Sequence, residues 1–76
     1  MTQLTAVIHE ESLSTGEPVF VSHCPELDVT SQGATRDEAF ANLEESVRGI
    51  LEVATPAEIE RRLRLGATVK LMQVAA

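Results

Sequence analysis

Tryptophan and tyrosine are absent from the 76 residues, and Phe20 and Phe40 are the whole aromatic complement. Proteins that grip single-stranded nucleic acid stack its bases on aromatic faces, so that mode of binding has no platform here. Basic residues are scarce too: six Lys and Arg stand against twelve Asp and Glu, a formal net charge of -6. Neutralising phosphates needs the opposite balance, and direct nucleic-acid binding is not expected. Such a charge suits a basic partner, because complementary charge speeds encounter and selects among partners. Solubility is the plainer use of the same charge. A lone cysteine, Cys24, has no mate for an internal disulfide, which fits a reducing compartment. The opening MTQLTAVIHEES lacks the basic and apolar regions of a signal peptide, and no apolar run approaches membrane-spanning length. The cytoplasm is therefore expected.

What is present reads as one small α+β domain over 1–76. A hydrophobic content of 43% is ordinary for a folded chain. A chain this short buries only about 60% of its unfolded surface, so a monomer is marginally stable and self-association is favoured. The strongest pattern is TRDEAFANLEESVRGILEVA, from Thr35 to Ala54. Phe40, Leu43, Val47, Ile50 and Ala54 recur at helical steps, widened by Ala39 and Leu51, and predict an amphipathic helix. Thr35 with Glu38 three residues on makes a capping box.

Three strands are predicted ahead of it: Leu4 to Glu10, Val19 to His23, and Leu27 to Ser31, the first two joined as a hairpin across ESLSTGEP. Pro25 interrupts between the second and third. Gly33 is expected to use a positive φ just before the cap. Thr55-Pro56-Ala57-Glu58 repeats the helix start signal, giving a second helix through Leu65 that buries Ile59 and Leu63 and stops at Gly66. Thr68 to Val74 (TVKLMQV) is β-prone and reads as a last strand delivered to a sheet edge. The predicted order is β-β-β-α-(α)-β, an antiparallel sheet with one long and one short helix on one face.

Candidates for chemistry are few. His9, His23 and Cys24 lack metal-ligand spacing, and neighbours along a strand point to opposite faces. Cys24 has no base or cation to lower its pKa, so a nucleophile is not expected there. Glu10, Glu26 and Asp28 are the carboxylates through which a residual metal-dependent nuclease, the least favoured alternative, would hold a divalent metal, and their spacing does not demand one. Gly33 alone forms no phosphate-cradling loop. The run Arg61-Arg62-Leu63-Arg64 reads as a solvated helix face paired with Glu58 and Glu60. Neither a catalytic group, a metal nor a cofactor is expected.

The stretch His23-Cys24-Pro25-Glu26-Leu27-Asp28-Val29-Thr30-Ser31-Gln32-Gly33, followed by Thr35 and Glu38-Ala39, resembles the HicB family of antitoxins. Members show a strand, a Pro-x-Leu turn, a short strand ending in Gln-Gly, and a Thr-x-x-Glu-Ala helix start. Pro25 and Leu27, Gln32 and Gly33, and Thr35, Glu38 and Ala39 match that run, and the likeness spans about residues 4–54. The resemblance implies a partial, catalytically dead RNase H-like fold, and a module that neutralises a small basic HicA-type toxin, a ribonuclease that cleaves mRNA. It also suits a homodimer or higher homo-oligomer, since exposed sheet edges invite a second copy. The chain departs from the pattern in two ways. It has no room for the DNA-binding extension of many members, so autoregulation is not expected, and the segment after the turn is shortened to Glu-Leu-Asp-Val. The matched positions are turn, glycine and cap, hence structural. For a toxin-facing surface the candidates are the outer acids of the long helix, Glu44, Glu45 and Glu52, and the turn acids Glu26 and Asp28. The alternative is a solitary oligomeric module of the same kind with no toxin, serving in regulation or assembly.

Overall fold

The computed structural model describes residues 3–75, so Met1, Thr2 and Ala76 of the expected 1–76 unit lie outside the described residues. Three antiparallel strands come first, β1 (Val7–Ser12), β2 (Pro18–Cys24) and β3 (Val29–Gly33), then two helices, α1 (Arg36–Val53) and α2 (Pro56–Leu65). The sheet order is β1-β2-β3. The register sets Ile8 opposite Ser22 and Glu10 opposite Phe20, and on the other side Ser22 opposite Ser31 and Phe20 opposite Gly33. Side chains alternate along a strand, so Phe20, Ser22 and Cys24 share the face that α1 covers, while Val19, Val21 and His23 share the open face.

The helix docks where small residues let backbones meet. Ser22 and Ala39 are fully buried, and the Ser22 hydroxyl donates to the Ala39 carbonyl at 2.7 Å. Beside them, Gly33 has no positive φ, contrary to the expectation. Its lack of a side chain serves spacing instead: a Cβ there would sit 2.6 Å from the Ala39 nitrogen. Asn42 Nδ2 locks the same junction by donating to the Gln32 carbonyl at 2.8 Å. The start signal of α1 is realised. The Glu38 N–H donates to Thr35 Oγ1 at 3.1 Å, and the Glu38 carboxylate accepts from the N–H of Ala34, one residue before the cap. Beneath the helix lies a compact core of Cys24, Leu27 and Leu43, with Leu4, Ala6, Val29 and Val47 packed against it.

Four expectations need correction. The third strand begins at Val29, not Leu27, because Pro25 to Asp28 form a turn in which Asp28 takes φ 55, a conformation Asp tolerates better than most residues. Leu27 points into the core from that turn, 3% exposed. The first strand begins at Val7, not Leu4. The Thr5 N–H is spent on the Glu26 carboxylate, and Pro25 has no N–H to offer. Phe40 is 46% exposed and Leu63 40% exposed, so neither is buried as the helical stripes predicted: the three-stranded sheet is too narrow to cover the first, and nothing covers the second. The final strand over Thr68 to Val74 does not form. That segment carries no regular structure and lies exposed, because β propensity needs a partner strand to act on.

Candidate functional site

The end of β2 gathers a polar cluster around the Glu26 carboxylate. Pro25 turns the chain and presents Glu26 towards the incoming N-terminal segment. The Thr5 hydroxyl donates to Glu26 Oε2 at 2.6 Å and the Thr5 N–H to Oε1 at 3.1 Å. The Cys24 thiol, 1% exposed, donates to the same Oε1 at 3.6 Å. Partial burial works to raise the Glu26 carboxyl, but the hydrogen bonds from the Thr5 hydroxyl, the backbone and the Cys24 thiol outweigh it and hold the group below its ordinary value. Cys24 moves the other way: burial first, with the adjacent Glu26 charge adding, pushes its thiol up. A thiol held protonated is a core group and not a nucleophile.

Adjoining this cluster, and sharing Thr5 and Cys24 with it, runs an open groove of about 440 Å³ between the Leu4–Ala6 segment and α1. Cys24 and Leu43 form its floor, Phe40, Val47 and Leu51 its apolar wall, and Glu44 and Arg48 its charged rim. The groove exists because the apolar stripe of α1 is wider than the sheet beneath it. It can hold an extended apolar segment.

The acids proposed from sequence for a partner are placed unequally. Asp28, Glu44, Glu45 and Glu52 are exposed. Glu44 rims the groove, whereas Glu45 and Glu52, seven residues apart, share an outward line of the helix. Glu26 is half-buried and its carboxylate is occupied by Thr5 and Cys24. Asp28 Oδ1 stands 3.9 Å from His23 Nε2, on the side where His23 Nδ1 meets Thr30 Oγ1 at 3.1 Å. The seven residues of the matched run have structural roles. Gln32, Gly33, Thr35, Glu38 and Ala39 build the helix–sheet junction, while Pro25 and Leu27 shape the turn.

Glu10 does not join Glu26 and Asp28. Its strand partner is Phe20, four residues down β2 from Cys24, roughly 13 Å at strand rise. Among the described residues no three of His, Cys, Asp or Glu converge as metal ligands would. The arginines of α2 are likewise not paired with Glu58 or Glu60; the only ion-pair distances among the described residues involve the histidines. No helix is long and apolar enough to cross a membrane. The groove itself had no sequence motif. Its one signal was the surplus width of the stripe, since Phe40 and Leu51 together exceed what one narrow sheet can bury. No family model, no curated protein and no solved structure matches this chain.

Proposed function

We propose that this chain is a non-enzymatic, cytoplasmic antitoxin of the HicB-like kind, which binds and neutralises a small basic mRNA-cleaving HicA-type toxin. One observation carries the reading most: the body of the fold is strongly and asymmetrically acidic. Residues 1–54 hold ten of the twelve acidic residues and two of the six basic ones, a net of -8, whereas residues 55–76 carry +2. Asp28, Glu44, Glu45 and Glu52 present that charge on the surface. A basic nuclease surface, built to grip phosphates, is the complement of such a field. The β-β-β-α order and the structural work done by Gln32, Gly33, Thr35, Glu38 and Ala39 support the first four elements of the β-β-β-α-β unit that the resemblance implies, while its closing strand is not formed.

In this reading Glu26 acts indirectly, by bracing the turn that displays Asp28. The experiment is capture of a tagged chain from its native lysate, with identification of whatever co-purifies. A stoichiometric, basic, short partner with ribonuclease activity supports an antitoxin. Recovery of the chain alone removes the toxin and leaves a solitary oligomeric module, a reading favoured by the uncovered C-terminal segment.

A further inference from the structure

Two parts of this molecule are unfinished in complementary ways. The first is a sheet edge. β1 pairs with β2 on one side and with no strand on the other among the described residues; apart from the Ile8 carbonyl, which accepts from Arg36 Nη1 at 3.4 Å, that edge is a template for another strand. The apolar groove under Phe40 and Leu51 adjoins the Leu4–Ala6 segment that leads into β1. The second is the arm after Thr55. α2 buries none of its side chains, and ten residues are too few for a helix to hold its form in water without packing. Beyond α2, Val69, Leu71, Met72 and Val74 are 44 to 102% exposed, within a segment patterned as a strand. The radius of gyration is 14.4 Å, against about 11.4 Å for a compact chain of this length.

We propose that two copies of this chain exchange these arms: Thr68–Val74 of each pairs with the free β1 edge of the other and lays its apolar residues over the other's groove. Charge selects the occupant. The arm carries +2, with Lys70 the only charge in its strand-like part, and it meets a body of -8 whose β1 edge holds Glu10 and Glu11 and whose groove is rimmed by Glu44. The root of the arm is already fixed, since the Ala67 N–H donates to the Pro25 carbonyl at 3.1 Å and Gly66 packs directly on the Glu26 carbonyl. Within the single chain Leu63 and Leu65 of α2 also lie exposed. A reciprocal exchange brings each α2 against the other copy and closes as a two-fold dimer. The inference needs no toxin and stands or falls apart from the antitoxin reading.

The test is the mass of the full chain by gel filtration with light scattering, from micromolar to hundreds of micromolar. The expected mass is twice the 8.2 kDa of one chain, with dissociation favoured as salt screens the arm–body attraction. Val69→Lys combined with Leu71→Lys is expected to return the mass to one chain, with a circular dichroism spectrum that loses the strand and α2 signal of the arm and keeps that of α1 and the three-stranded sheet. Both positions are exposed in the single chain, so its folding is not at stake. In a mixture of two length-tagged variants, one Leu71→Cys and the other Phe40→Cys, oxidation is expected to link different chains. A monomer at every concentration overturns the exchange, as does a dimer that persists in the double-lysine variant. So does a chain carrying both cysteines that closes the bond within itself and stays monomeric.

Discussion

Cys24 and Glu26 share one knot at the end of β2, and each leaves a measurable signature. Cys24 is 1% exposed and its thiol is pushed up by burial. Its alkylation in the native protein is expected to be on the order of 100-fold slower than in denaturant, equivalent to an opening cost of about 2.7 kcal/mol. Equal rates in a thiol-labelling assay would place Cys24 outside the core. Glu26 has a folded pKa below its ordinary 4.5, so the charged form is bound more tightly in the folded state. Its contribution is complete above that ordinary value and is lost as pH falls through the lower folded one. Urea melts from neutral pH into the acid range are expected to show that loss. Glu26→Gln, which cannot accept at both oxygens, should cost about 1 kcal/mol at neutral pH and flatten the acid limb. An acid limb identical to the parent's would contradict the role. None of this was legible beforehand, because the Thr5 partner lies 21 residues away in sequence.

At the scale of elements, the helix–sheet junction is the most exacting contact. Gly33→Ala puts a methyl 2.6 Å from the Ala39 nitrogen and 2.8 Å from the Glu38 carbonyl carbon. Both neighbours are helix backbone and cannot step aside, so a loss of about 1 to 3 kcal/mol is expected in chemical denaturation. A neutral result would mean that α1 sits further from the sheet. The same residue shows why some of the fold was readable and some was not. Caps are local: Thr35 and Thr55 each accept from the N–H three residues on, as their sequence context predicted. A glycine marks only that something special happens. At both Gly33 and Gly66 the requirement is close approach of a distant backbone, while φ at Gly66 is an ordinary -74. Strand limits moved for the same kind of reason. Alternation from Leu27 is real, but Asp28 in a left-handed conformation breaks the strand there. Thr68 to Val74 has a strand's composition, yet it pairs with no strand among the described residues.

The molecule as a whole divides into an acidic body and a short basic arm, a division invisible in the net charge of -6. An acidic composition suits a basic partner or plain solubility alike, and it does not say which acids remain free. The fold does: Asp28, Glu44, Glu45 and Glu52 are exposed, and Glu26 is engaged. Replacing Glu44, Glu45 and Glu52 together by Gln leaves the core untouched and is expected to weaken partner binding chiefly through a slower association rate, with a shallower salt dependence. Stopped-flow association at several salt concentrations reads both effects, and unchanged rates would move the interface elsewhere. The measurement that tests the central claim most directly is a ribonuclease titration, in which the captured basic partner is assayed on RNA against increasing amounts of this chain. The account predicts activity falling linearly to zero at a fixed stoichiometric ratio, with the Gln variant needing more protein to reach it. Activity that is undiminished by excess chain would contradict the reading as an antitoxin.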